Sequence, residues 1–110
     1  MNMNIEFDDS LLTEIILLKS LSHENIIKYF GYSFDYVGNF YIITELCSNG
    51  NLDSYLINNK LTIQQKYKII YQICKGINYL HTLTTPIIHR DLKTQNVLLD
   101  NRNLAKVADC

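Results

Sequence analysis

Proline appears once in the 110 residues, glycine four times and tryptophan not at all. So little proline and glycine excludes a collagen-like or low-complexity chain and the linkers that such composition makes. Cysteine is scarce and scattered: Cys47, Cys74 and Cys110 lie far apart and form no C-x-x-C pair. That spacing argues against both a zinc site and a disulfide framework, and the expectation is buried or free thiols in a reducing compartment. An excess of one charge is lacking as well. Ten Lys and Arg stand against eleven Asp and Glu, a formal net charge of −1, so no nucleic acid or anionic membrane is expected as a partner. No apolar run approaches the ~20 residues that span a bilayer. The opening MNMNIEFDD has no basic patch followed by an apolar stretch, so it is not read as a signal peptide. What is present is a chain 47% hydrophobic, long enough for one modest domain and too short for two. Composition points to a soluble, intracellular, globular protein, and the cytoplasm is its expected location.

No repeat or linker divides the sequence. Leu11, Ile15 and Leu18 recur at helical spacing behind Asp8, Asp9 and Ser10, which predicts a helix over 11–21 with acidic and capping residues at its N-terminus. Segments 26–34 and 40–46 are rich in β-branched and aromatic residues, and 35–39 between them contains a glycine. The pair reads as an antiparallel hairpin. A loop at 48–51 and a short helix over 52–57 follow. Thr62 with Gln65 forms a capping box, and Ile63, Tyr67, Ile70, Cys74, Ile77 and Leu80 hold a helical stripe to His81 or Leu83. Pro86 closes the loop after it. Short apolar runs at 87–88 and 97–99 flank the polar stretch HRDLKTQN at 89–96, and 104–108 reads as a last short strand. The pattern is that of an α+β domain.

The polar stretch is its awkward feature. His89, Arg90, Asp91 and Lys93 between two apolar strands are costly to place without partners or a task. Chemically, the segment offers the Asp91 carboxylate, the Lys93 ammonium and the Asn96 carboxamide, with a second carboxylate, Asp109, at the end of the next strand. A carboxylate can accept a hydroxyl proton or orient a nucleophile. An ammonium neutralises phosphate charge, and carboxamide and carboxylate oxygens ligate hard cations. Together they could build a site for metal-assisted phosphoryl transfer. The bland alternative, a solvated loop, leaves the joint spacing with Asp109 unexplained.

HRDLKTQN resembles the protein-kinase catalytic loop H-R-D-L-x-x-x-N. Its surroundings resemble the same family in order. Glu14 and the run through LeuSerHisGluAsnIleIle resemble the glutamate-bearing helix and the entry to the strand after it. PheTyrIleIleThrGluLeuCys resembles the strand leading into the hinge, and ValAlaAsp at 107–109 resembles the approach to D-F-G. The resemblance implies a partial protein-kinase-like α+β fold, with about 8–46 from the small lobe and 47–110 opening the large one. It implies ATP and Mg²⁺ as cofactors and a protein substrate. Asp91 would be the catalytic base and Lys93 would contact the transferring phosphate, while Asn96 and Asp109 would hold Mg²⁺. Thr44 would be the gatekeeper, the backbone of Glu45 and Cys47 would bind adenine, and Leu98 would lie beneath it. Glu14, His89 and Arg90 would be structural or regulatory: Arg90 pairs with a phosphorylated activation loop, and Leu18, Tyr29 and His89 fall on the hydrophobic spine. Without the resemblance, Glu14 reads as a solvated helix residue. Likewise Thr44, Cys47 and Leu98 read as strand and core residues, and His23 as a loop-fixing group.

Lys93 matches the serine/threonine-specific pattern. Gly31 and the hinge resemble the tyrosine-kinase-like group, whereas LysThrGlnAsn also resembles NIMA-related kinases, and the subgroup stays open. The family's glycine-rich loop and strand lysine have no counterpart, since no glycine precedes Gly31 and no lysine precedes Lys19. Cys110 stands where the family places the Phe of D-F-G. The expectation is therefore a truncated fragment, inactive and marginally stable by itself, whose long helix exposes an apolar face that a protein partner would cover. The alternative is a non-catalytic, pseudokinase-like binding module.

Overall fold

The computed structural model describes residues 9–83 and 92–108. Helix α1 (Asp9–Ser20) leads to strands β1 (Tyr29–Phe34) and β2 (Phe40–Thr44), then helices α2 (Leu52–Asn58) and α3 (Ile63–Thr82). A 3₁₀ turn at Thr94–Asn96 runs into β3 (Val97–Leu99), and β4 (Ala105–Val107) follows. The strands form two separate antiparallel pairs, β1–β2 and β3–β4. The described residues fall into two compact units, divided near Glu45/Leu46, except that His23–Ile27 cluster with the second.

In the first unit, α1 packs against β1 and buries Ile15. Lys19 in its last turn complements the helix dipole. The hairpin turn is organised by Asp35, whose Oδ1 accepts the amides of Val37 at 3.0 Å and Asn39 at 2.8 Å. Gly38 adopts φ 85°, the left-handed conformation this loop requires of its fourth residue. The strand expected over 26–34 is shorter than the sequence pattern implied. Ile26 and Ile27 leave it to pair with β4 of the second unit, where the Ile27 amide donates to the Val107 carbonyl at 3.0 Å.

The second unit is built on Leu52, Ile69, Val97, Leu99 and Ala105, with Tyr55, Leu61 and Ile73 packed against them. Each of the buried Leu, Ile and Val side chains among them contributes about 1.5–3 kcal/mol on burial. The expected capping box at the start of α3 is present in both halves: Gln65 N–H donates to Thr62 Oγ1 and Thr62 N–H to Gln65 Oε1. The stripe expected along α3 splits. Leu80 is buried, but Ile63, Tyr67 and Ile70 remain 66%, 68% and 54% exposed, and Cys74 is exposed too. The buried line runs through Ile69, Gln72, Gly76 and Leu80. Two of its members carry no hydrophobic signal. Gln72 is buried because its Oε1 accepts the Ala105 amide at 2.9 Å. Gly76 is buried because α3 touches backbone there: a Cβ at this position would stand 2.6 Å from the Asn25 carbonyl oxygen. Among the described residues no helix is long and apolar enough to cross a membrane.

Candidate functional site

Residues 46–58 and 92–108 of the second unit supply the site's frame. After Cys47 the chain turns, with the Gly50 amide donating to the Cys47 carbonyl at 3.1 Å. It then runs beside β3: Asn49 N–H donates to Leu99 O at 3.1 Å and Leu99 N–H to Gly50 O at 2.8 Å. The Asn49 side chain adds a latch, donating to the Asp100 carbonyl at 2.9 Å and to Asn103 Oδ1 at 2.7 Å. Asn51 caps α2 by accepting the Ser54 amide at 2.8 Å, and its backbone bridges to Leu98. The half-buried Leu98 lies between buried Val97 and Leu99 and so faces away from them, as the two-residue period of a strand dictates.

Lys93 and Asn96 belong to the 3₁₀ turn, which is closed by the Asn96 amide donating to the Lys93 carbonyl at 2.9 Å. Lys93 is exposed and Asn96 buried. The Asn96 carbonyl in turn accepts the Ala108 amide at 2.9 Å, so the end of β4 is pinned to this residue. The Thr94 hydroxyl donates to Asp53 Oδ1 of α2 at 3.2 Å. Lys93, Asn96, Leu98 and Cys47 are thus carried by one hydrogen-bonded unit. Asp91, His89, Arg90 and Asp109 lie outside the described residues, as does Cys110.

The remaining expected residues stand in the first unit. Thr44 is half-buried, and its hydroxyl donates to the Glu45 carbonyl at 3.2 Å. Glu45 is fastened to Lys28 twice, its amide donating to the Lys28 carbonyl and its Oε1 accepting the Lys28 amide, each at 2.9 Å. Glu14 is exposed on α1. Leu18 is half-buried and Tyr29 buried.

His23–Ile27 behave as the sequence implied for His23 and go further. His23 Nδ1 accepts the Asn25 amide at 2.9 Å, and its ring lies 5.0 Å from that of Tyr79. Asn25 is fully buried; its Nδ2 donates to the Ala105 carbonyl at 2.9 Å, and its carbonyl accepts the Val107 amide at 2.9 Å. Outside this, Lys75 pairs with Glu24 at 2.8 Å. The hydrogen bond from Lys75 holds the Glu24 carboxyl below its ordinary range, and the same bond raises the lysine. Asp53 did not stand out in the sequence, and Asn25 did so only as a member of the run that resembles the strand entry, with no role of its own. A single Asp in a short helix has no periodic signature, and a buried Asn is visible only once its partner strand is known.

Among the described residues no cluster of three or more His, Cys, Asp or Glu could hold a metal. The oxygen donors of Asn96 and, by sequence, Asp109 are hard ligands of the kind Mg²⁺ takes. Asn96 is buried and its backbone is bonded on both sides, so its place on the turn is fixed, while Asp109 lies outside the described residues.

Comparison with known proteins agrees with the resemblance. The model of the protein tyrosine and serine/threonine kinase family matches residues 2–110. A probable serine/threonine-protein kinase of Dictyostelium discoideum is 40% identical over 99 residues, which covers 87% of this chain and 10% of the relative. A putative serine/threonine-protein kinase/receptor of Acanthamoeba polyphaga mimivirus is 45% identical over 98 residues, 87% of this chain and 6% of the relative. A serine/threonine-protein kinase of Mus musculus is 40% identical over 103 residues, 92% of this chain and 12% of the relative. The chain therefore spans about a tenth of the length of these curated relatives. With the family model matched along nearly its whole length and the catalytic-loop motif in place, the chain belongs to the protein tyrosine and serine/threonine kinase family.

Proposed function

We propose that the protein to which these residues belong transfers the γ-phosphate of ATP to serine or threonine hydroxyls of other proteins in the cytoplasm. The observation that carries this is the turn at Thr94–Asn96, which presents an exposed Lys93 beside a buried Asn96 and is tied to both α2 and β4. In such transfers the protein works by positioning and charge stabilisation. Lys93 would meet the charge on the transferring phosphoryl oxygens, and Asp91 would orient the substrate hydroxyl. Asn96 and Asp109 would hold Mg²⁺, which when bound neutralises charge on the phosphates. The backbone of Glu45 and Cys47 would receive adenine, with Thr44 and Leu98 bounding it. Glu14 stands where the family's helix glutamate would pair with a strand lysine, and Arg90 would answer a phosphorylated activation loop, with His89 packed behind.

Activity resides in the assembled domain, and the 110 residues prepared alone are expected to be inactive and weakly stable. The exposed apolar side of α3, Ile63, Tyr67 and Ile70 among it, supports the weak stability and keeps the binding-module reading in play. Transfer of labelled phosphate to a general protein substrate by the protein with its native flanks tests the proposal. Asp91→Asn should lower the rate by about a hundredfold or more. A wild type without transfer, under conditions where it is folded, would leave the non-catalytic reading in its place.

A further inference from the structure

A three-residue 3₁₀ turn is a weak element by itself, and this one has no side-chain cap at its start, Lys93. Its end is secured by burial, because Asn96 and Val97 enter the core and the Asn96 carbonyl holds Ala108. Burial does not do the same before it, where Leu92 and Lys93 are exposed, as is Gln95 at its centre. At the first residue of the turn the half-buried Thr94 donates its hydroxyl to Asp53 Oδ1 at 3.2 Å.

Asp53 is well placed to act as a fixed post. It lies in the first turn of α2, where the helix dipole favours a carboxylate. Its neighbour Leu52 is buried in the core with Val97 and Leu99, and Asn51 caps the helix. A site is only as well defined as the residues that hold it. We propose that Asp53 is a positioning residue for phosphoryl transfer, holding through Thr94 the turn that carries Lys93 and Asn96. Asp53 touches no reacting atom in this account. Its effect passes through one hydrogen bond to the two groups on either side of Thr94.

The inference rests on the kinase reading, and the test separates the two. In the protein with native flanks, phosphate transfer is measured for wild type, Asp53→Ala, Thr94→Val, the double variant and Thr94→Ser, with thermal midpoints recorded for each. Asp53→Ala and Thr94→Val should each lower kcat by about tenfold and raise the Mg²⁺ concentration for half-maximal rate, with KM for the protein substrate within about twofold. The double variant should be no slower than the worse single, because the two residues share one interaction. Thr94→Ser keeps the hydroxyl and should stay within about twofold of wild type. Thr94→Val is nearly isosteric, so it reports even if Asp53→Ala unfolds. Unchanged kcat in Thr94→Val, additive losses, or a Thr94→Ser as slow as Thr94→Val would each overturn the proposal. An inactive wild type would bring down the kinase reading, and this inference with it.

Discussion

The two hairpins use the same turn and meet opposite fates. Each spans five residues from an aspartate, Asp35 or Asp100. Each closes with the aspartate amide donating to the carbonyl four residues on, Asn39 at 3.1 Å and Leu104 at 3.2 Å. Asp35 Oδ1 accepts two amides of its loop, as Asp100 Oδ1 does from Arg102 at 2.8 Å and Leu104 at 2.9 Å. The fourth residue is left-handed in both, Gly38 at φ 85° and Asn103 at φ 61°. The strands differ. Tyr32, Phe34, Ile42 and Ile43 of β1–β2 are 40–46% exposed, while Val97, Leu99, Ala105 and Val107 of β3–β4 are 0–2% exposed. Turn chemistry therefore sets the register of each pair, and what surrounds a pair decides how much it contributes to stability. The buried hairpin carries Leu98 and follows directly on the turn that holds Asn96, which suits residues that need fixed supports.

The largest test of this contrast is a matched pair of truncations. Leu99→Ala should destabilise its unit by about 2–5 kcal/mol, whereas Ile42→Ala in the exposed hairpin should cost about 1 kcal/mol or less. Denaturant titration of the protein with its native flanks, followed by a probe in each unit, reads both. Equal costs would erase the distinction. Next comes Gly76→Ala, which puts a methyl group 2.6 Å from the Asn25 carbonyl. Overpacking of this kind costs about 1–3 kcal/mol, and amide exchange at Val107, which donates to that carbonyl, should quicken. The smallest effect concerns acid. Burial acts to raise the Asp35 carboxyl, but the hydrogen bonds from Asn39, Tyr41 and Val37 together bring it below the ordinary value. A carboxyl depressed in the folded state adds stability above its unfolded value and loses it as pH falls through the folded one. Asp35→Asn should therefore flatten part of the loss in midpoint between neutral and acid pH, below the ordinary Asp range. An unchanged acid limb would show that the exposed turn contributes nothing.

Much of this was legible from residue patterns. Thr62 and Gln65 announced the start of α3 because a capping box is local chemistry, and the glycine in 35–39 announced the first hairpin for the same reason. HRDLKTQN carried the family because its spacing belongs to a reaction. The buried face of α3 was not legible. Its line passes through Gln72 and Gly76, which periodicity counts as polar or neutral, and both are buried for their contacts with backbone. Nor could Ile26 and Ile27 be separated from β1 by composition, since β-branched residues suit either strand. The Asp53–Thr94 bond joins positions 41 residues apart, a pairing only the fold creates.

The most direct measurement is phosphoamino-acid analysis of a protein substrate after incubation with labelled ATP, Mg²⁺ and the protein with its native flanks. The account predicts label on serine and threonine, lost with Asp91→Asn. Label on tyrosine alone, or no label from a folded wild type, would contradict it.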